Sequence, residues 1–421
     1  MSDIPEGYKL TKAGVIPEEW YEGTVSDLFH VVTGTTPSTS SPEYWEDGTL
    51  LWITPTDLST NNGQLYIFNC ERKITDSAVR DYNLNRLPVG SIIVSTRAPV
   101  GYVALNRKVA YINQGCKGLI PKENVSGTEV YYSYYLKSRT SELTRVSGGS
   151  TFKELSKQSL ESFPIPIPQN NERRRIATIL SAVDAAITAT DEVIAKTEEL
   201  KRGLMQVLLV KGVDEDGRVR SEETHTFCEK KVGSKTLKFP ESWKFKNMGD
   251  VITLKRGYDL PSDERVAGEV PVISSSGVSG YHQEAKVCGP SVVTGRYGTL
   301  GEVFFIERDF WPLNTTLYVC NFKDNDPKFI SYFLKLHLAA YQSDALSIPG
   351  INRNFVHRLP CAVPPPPEQH HIAAVLSTID RDLAAERDHR ARLQTLKKGL
   401  MQDLLTGRKR VPLNGGEGHD A

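Results

Sequence analysis

The sequence predicts a mixed α/β chain built by duplication, in which two α/β modules alternate with two long helices that pack on each other. Three observations predict it: a long internal repeat, short strand-like runs set between glycine and proline, and two apolar stripes each about forty residues long. The 421 residues suffice for two or three domains. A hydrophobic content of 39% with 24% charged residues excludes a disordered chain and a membrane-embedded one. No stretch approaches the ~18 apolar residues of a membrane span, and MSDIPEGYKL lacks the basic start and apolar run of a signal peptide. Cysteines 70, 116, 228, 288, 320 and 361 form no CxxC pair. Zinc, a dithiol redox site and a disulfide framework are therefore not expected, and the six read as free thiols of a cytoplasmic protein.

The repeat organises the chain. IPEEW (16–20) matches FPESW (239–243) at an offset of 223, which also aligns Asp27 with Asp250 and Gly34 with Gly257. GSIIVSTRAPVG (90–101) resembles PSVVTGRYGTLG (290–301), and SYYLK (133–137) matches SYFLK (331–335). FPIPIPQNNERRRIATILSAVD (163–184) matches LPCAVPPPPEQHHIAAVLSTID (359–380) at an offset of 196, as LKRGLMQVLL (200–209) does LKKGLMQDLL (396–405). The second copy is thus 27 residues shorter, mostly between Gly34 and Gly90. Similar ends around divergent middles suggest two sites of one architecture with different targets; a scaffold that drifted without consequence is the alternative.

Beyond each proline-rich stretch the period becomes helical. Ile176, Ile179, Leu180, Val183, Ala186, Ile187, Val193, Ile194, Leu200, Leu204, Val207 and Leu208 form a stripe that Thr190 and Thr197 interrupt. Ile372, Val375, Leu376, Ile379, Leu383, Leu393, Leu396, Leu400 and Leu404 form the second, broken by AERDHRA. Patterns this long point to a coiled coil, each helix burying its stripe against its duplicate or else against its own module. Pro168 and Pro367 suit the helix starts, Glu172 and Glu368 the positive end of the dipole, and Gly212 and Gly407 the stops. In the modules, LLWITP, GSIIVS, GYVALN, PVISS, PSVVTG and EVFFI read as strands. VYYSYYLKS and KFISYFLKLHLAAY read as helices whose tyrosines suit core packing better than base stacking, and FPIPIP and AVPPPP as extended exits.

These residues carry a family resemblance. GTTPS (34–38), PEYW (42–45) and LLWITPTDL (50–58) in the first module resemble one target-recognition subtype, and PVISSSGVSGY (271–281) and GRYGTLGEVFF (295–305) another. With the helical repeats PPPEQHHIAAVLSTID and LKKGLMQDLL, the chain resembles the specificity (S) subunit of type I restriction–modification systems over roughly residues 9–410. The resemblance implies two duplicated target recognition domains separated by two long helices packed as an antiparallel coiled coil. The expected boundaries are 1–168 (first recognition domain), 169–212 (central helical spacer), 213–363 (second recognition domain), 364–410 (C-terminal spacer) and 411–421 (flexible tail). It also implies a non-catalytic subunit in which each domain reads one half of a split site in double-stranded DNA. The helices would set the gap and dock methyltransferase (M) subunits, joined by restriction/translocase (R) subunits. An adenine is flipped into the partner's active site, so S-adenosylmethionine, ATP and Mg are expected only on partner subunits and no cofactor or metal on this chain. NPPY, GxxxxGK[ST] and HExxH motifs are absent from the sequence.

The charge is less obliging: 51 basic residues against 51 acidic ones. Residues 1–168 carry 16 and 18, 169–212 carry 7 and 6, 213–363 carry 19 and 19, and 364–421 carry 9 and 8. DNA binding then requires locally focused loops or a basic partner. Polar and basic residues of glycine-rich loops are the candidates for DNA contact: Thr35, Thr36, Ser38, Ser95, Arg97 and Lys153 in the first module, and Lys255, Arg256, Arg296, Tyr297, Asn352 and Arg353 in the second. Arg97 and Arg296 occupy equivalent places in the repeat, each suited to a guanine, a phosphate or a carboxylate of its own domain. The competing classes are a scaffold that binds no DNA and a stand-alone methyltransferase or nuclease.

Overall fold

The computed structural model describes residues 4–61, 63–97, 99–122, 127–148, 154–232, 235–296, 302–344 and 350–412. The chain forms two compact units, Met1–Asp191 with Asp388–Ala421, and Glu192–Arg387. Each unit therefore holds one α/β module and half of each long helix.

The first unit is built on a five-stranded sheet of Phe29–Thr33 (β1), Tyr66–Ile67 (β2), Ile92–Ser95 (β3), Val103–Asn106 (β4) and Cys116–Pro121 (β5), in the order β1-β5-β3-β4-β2. Strand β3 is apolar along its length because both its faces are covered. Ile92 and Val94 point into a core with Trp20, Phe29 and the tyrosine helix Thr128–Ser138 (α1), whereas Ile93 points into a second core with Ile53 and Ile112. The second core is roofed by a small sheet in which Ala110–Ile112 pairs in parallel with Leu50–Ile53. Tyr131, Tyr132, Tyr134 and Tyr135 are at most 1% exposed, so these rings are core residues. The short helix Lys157–Glu161 (α2) leads to Pro164–Ile167, which pairs antiparallel with Tyr21–Thr24. The FPIPIP exit is thus a paired strand rather than a bare extended segment.

The chain then enters Asn170–Lys211 (α3). In the second unit the sheet consists of Thr253–Arg256 (β6), Ser291–Gly295 (β7), Val303–Ile306 (β8) and Thr316–Asn321 (β9), in the order β6-β9-β7-β8. This is the order of the first sheet without its last strand. Val292 and Val293 again face two cores, and Val270–Ser274 pairs in parallel with Trp311–Pro312 as the small-sheet counterpart. Helix Pro327–Asp344 (α4), the short helix Arg353–Arg358 (α5) and the strand Pro360–Val363, paired with Lys244–Asn247, lead into Pro366–Leu404 (α6). Gly212 and Gly407, at φ +67° and +69°, end the two long helices in the left-handed conformation the stop requires.

Within each unit the helix segments run antiparallel. In the first, Asp184 pairs with Lys397 and Asp191 with Arg390; in the second, Lys201 pairs with Asp380 and Glu198 with Arg387. The residues turned inward recur at alternating spacings of four and three: Ile176, Leu180, Val183, Ile187, Thr190, Ile194, Thr197, Lys201, Leu204 and Leu208 on α3. This corrects the stripe read from hydrophobicity. Thr190 is 7% exposed, its hydroxyl donating to the Ala186 carbonyl at 2.9 Å, whereas Val193 and Leu200 lie outside the seam at 45% and 56%. On α6 the same spacing runs from Ile372 to Leu404 through Glu386, Arg390 and Lys397, and Leu396 is off it. The polar stretch that interrupts the second apolar stripe carries seam positions occupied by charged residues. The AERDHRA segment is a polar part of the coiled coil, not a gap in it.

Two polar clasps tie each module to its helices, and both are duplicated. Glu172, fully buried in the first turn of α3, accepts the Trp20 indole N–H at 2.9 Å and the Arg410 guanidinium at 2.7 and 3.0 Å. Glu368, in the first turn of α6, accepts the Trp243 indole N–H at 3.2 Å, the Arg220 guanidinium and the Val213 amide at 2.9 Å. The second clasp joins Tyr134, donating to Asp184 at 2.7 Å, with Lys397; its counterpart joins Tyr332, donating to Asp380 at 2.6 Å, with Lys201. In each clasp one member comes from the other helix or the residues just after it. Val411, the first residue of the expected flexible tail, is 6% exposed and belongs to the first core; residues 413–421 lie outside the described residues.

Candidate nucleic-acid interface

Antiparallel pairing brings the ends of β1 and β3 and the start of β5 to one end of the first sheet: Thr33 lies opposite Lys117, and Ser95 opposite Cys116. Immediately beyond β1 the backbone passes so close to the Asn113 carbonyl that a Cβ on Gly34 would lie 2.0 Å from its oxygen, and at Gly257 it would lie 2.2 Å from that of Leu313. The repeat keeps glycine here because the chain crosses another strand's carbonyls. The residues after Gly34 and Gly257 are thereby delivered to this end of each sheet.

In the first unit Thr35 is exposed; its amide donates to the Ile112 carbonyl at 3.0 Å and its carbonyl accepts the Trp52 indole N–H at 3.1 Å, which leaves the side chain outward. Thr36 meets the Gln114 side chain. Ser38 is engaged in local structure, with its amide on the Tyr82 hydroxyl at 2.9 Å, its carbonyl on the Trp45 indole at 2.7 Å and its hydroxyl on Ser40. Ser95 is fully buried, donating to the Pro99 carbonyl and accepting the Tyr102 amide; it builds the turn after β3 and presents nothing to the surface. Arg97 is half-exposed and pairs with Glu154 at 3.3 Å, the carboxylate-of-its-own-domain alternative. Lys153 lies outside the described residues; Leu155 is held at this end, its amide donating to the Thr96 carbonyl at 2.9 Å.

The second unit assembles its candidates at the equivalent end. Arg256 Nε and Arg296 both donate to the Asn314 carbonyl, at 3.3 and 3.2 Å, and the Asn314 amide donates to Asp259. Lys255 donates to the Tyr258 hydroxyl at 3.2 Å, which shares a hydrogen bond with Tyr318 at 3.1 Å. Hydrogen bonds from Tyr318 and then Lys255 hold the Tyr258 phenol below its ordinary value, while burial pushes Tyr318 up. The Ile351 amide donates to the Arg296 carbonyl at 2.8 Å, so the loop carrying Asn352 and Arg353 sits where the Leu155 loop sits in the first unit. Asn352 caps α5 through the Asn354 amide at 2.9 Å, and Arg353 is exposed beside it. Tyr297 lies outside the described residues.

Most candidates therefore gather at two equivalent sheet ends, with Ser38 and Ser95 as structural members. Sequence reasoning missed Lys117, Gln114 and Asn314. Lys117 lines an open depression of about 500 Å³ together with Thr33, Glu154, Ser156 and Lys157. The signal for it was a single cation inside the otherwise apolar CKGLIP strand.

The Type I restriction modification DNA specificity domain matches the chain twice, over residues 17–201 and 240–395. The MjaIX specificity subunit of Methanocaldococcus jannaschii is 35% identical over 61% of this chain and 57% of that relative. The EcoR124I/EcoR124II specificity subunit of Escherichia coli is 30% identical over 44% of this chain and 45% of the relative, so these two alignments span about half of each relative. The putative MjaX specificity subunit aligns over 96% of this chain and 97% of its own length at 23% identity. Among solved structures, the S subunit of a type I restriction–modification system from M. genitalium superposes with a TM-score of 0.61 over 91% of this chain and 96% of that one, at 16% identity. A chain from a study of assembly and conformational transition of the type I R-M system gives 0.56 over 94% and 99%, at 14% identity. With the duplicated frame matched twice by one domain over most of its length, the chain belongs to the type I restriction modification DNA specificity family.

Proposed function

We propose that this chain is the sequence-specific DNA-binding subunit of a type I restriction–modification complex. Each sheet end reads one half of a bipartite site, and the helix pair sets the gap between the halves and docks methyltransferase subunits. The observation that carries this reading is the pair of equivalent sheet ends on one repeated frame, each furnished with different polar side chains. One frame with two sets of donors is what a two-part target asks for, because base identity is read by the donors and acceptors that reach the groove. Methyl transfer, ATP use and cleavage belong, on this reading, to M and R subunits that carry S-adenosylmethionine, ATP and Mg; the chain itself is not an enzyme and works in the cytoplasm.

The near-equal charge in every segment suggests that much of the phosphate binding comes from the partners. The lone chain should then show a shallower salt dependence of DNA affinity than the complex. As for the gap, α3 has 42 residues, which is about 63 Å at 1.5 Å per residue. Seven residues inserted at matched levels of both helices should lengthen the preferred gap by roughly three base pairs.

The test of the reading is replacement of residues 16–164 by the corresponding module of a relative, followed by mapping of methylated adenines. One half of the methylated sequence should change and the other persist. A change in both halves, or in neither, would overturn modular reading.

A further inference from the structure

Lys117 occupies the second position of β5, between Thr33 of β1 and Val94 of β3, in the middle of the first sheet. It is 4% exposed, yet among the described residues its ammonium makes no hydrogen bond and no ion pair. The neighbouring carboxylate Glu154 is taken by Arg97 at 3.3 Å, and Lys157 is paired with Glu161 at 3.6 Å. Burial pushes the Lys117 ammonium below its ordinary value; Glu154 and Cys116 oppose this, while Arg97 and Lys157 add to it. An ammonium has three donors and no acceptor, and leaving them unpaired away from water is costly. Here they face a depression open to solvent, lined also by Thr33, Ser156 and Lys157 and bordered by the Arg97–Glu154 pair.

From this geometry, and resting on the DNA-reading function proposed above, we infer that Lys117 contacts DNA, donating to a hydrogen-bond acceptor that enters the depression. The acceptor is guanine O6 or N7 in the major groove, or a phosphate oxygen. The second unit supplies an internal contrast. The strand position equivalent to Lys117, opposite Thr294 of β7 and Arg256 of β6, is Leu317, an apolar residue buried in the core of that unit. The Lys117 contact accordingly belongs to the first half-site alone.

The experiment compares wild type, Lys117→Met and Lys117→Gln, each as the full chain in its methyltransferase complex, selecting from a library of randomised double-stranded DNA. If Lys117 reads a base, both variants lose discrimination at one position of one half-site by about tenfold or more. If it binds a phosphate, the preferred sequence is unchanged, and affinity falls with a salt slope smaller by about one. Either result supports the contact, read on whichever of the two variants keeps a cooperative melting transition and assembles with its partner. A variant with wild-type sequence preference, affinity and slope overturns the Lys117 contact while leaving the DNA-reading function standing. A wild-type complex that selects no sequence overturns the function and the contact together.

Discussion

The two units share a frame and differ at its ends. Both carry the same order of four sheet strands, the same glycine crossing under a carbonyl, and the same Trp–Glu–Arg and Tyr–Asp–Lys clasps. At the sheet end, however, the first unit has a lysine facing an open depression beside an Arg97–Glu154 pair, and the second has two arginines on one carbonyl beside a tyrosine pair. The extra residues of the first unit fall in the same region, where Arg72 lies 3.7 Å over the Trp45 ring. Buried clasps tolerate little change, since each member would leave another unsatisfied. Sheet-end side chains answer to no such constraint and are free to follow a ligand. The difference teaches where to look for target choice: at residues that the frame presents and does not need.

The largest expected effect would break the comparison at the seam. Leu180→Asp places a charge at a fully buried position and should destabilise the chain by about 4 kcal/mol or more. Leu200→Asp, which the sequence placed on the same stripe but the fold leaves 56% exposed, should change the unfolding free energy from denaturant titration by less than about 0.5 kcal/mol. Equal effects would mean that the four-and-three seam is wrong.

The clasps come next. Glu368→Ala strands the Trp243 N–H, the Val213 amide and Arg220, whose side chain is only 11% exposed, and should cost about 3–5 kcal/mol. Glu172→Ala should cost less, because Arg410 is 35% exposed and can turn to water or to Glu19. Chemical denaturation of both variants measures the difference, and the opposite order would show that the clasps are not equivalent in the way their geometry implies.

A smaller effect separates the units by pH. Lys137, on α1, has its ammonium pushed down to about 8 by burial and by Lys397. In the unfolded chain it titrates near its ordinary value, so between the two values the unfolded state binds more protons and stability rises with pH. The rise, on the order of 1 kcal/mol after allowance for partial exposure, should flatten in Lys137→Met. The equivalent Lys335 makes a half-exposed pair with Glu302 at 3.9 Å, and Lys335→Met should cost less than about 1 kcal/mol. Denaturant midpoints from pH 7.5 to 10.5 would test this. The smallest change is expected at Thr190→Val, which keeps the seam's shape and removes a hydroxyl satisfied within its own helix; stability should move by less than about 1 kcal/mol.

The sequence by itself determined the duplication, the strand runs and the two helices with their glycine stops, because local periodicity and turn chemistry are written in neighbouring residues. It also pointed to Lys255, Arg256 and Arg296, which the fold brings to one sheet end of the second unit, the first two on strand β6 rather than in a loop. It did not distinguish Leu200 from Thr190, because a hydrophobic stripe forty residues long drifts around an ideal helix, and only the partner helix decides which line of residues is covered. Nor did it show that Glu172 and Glu368 are clasp centres rather than dipole-favoured surface charges. Their partners lie 152 and 238 residues away in one clasp, and 125 and 148 in the other. Ser95 and Lys117 exchanged their apparent roles for the same reason. A serine in a glycine-rich loop was turned inward by two local hydrogen bonds, and a lysine in an apolar strand was set at the mouth of a depression by the pairing of β5 between β1 and β3. Which side of a strand faces a core, and what stands opposite it, is settled by pairing over long separations, and that information exists only once the chain has folded.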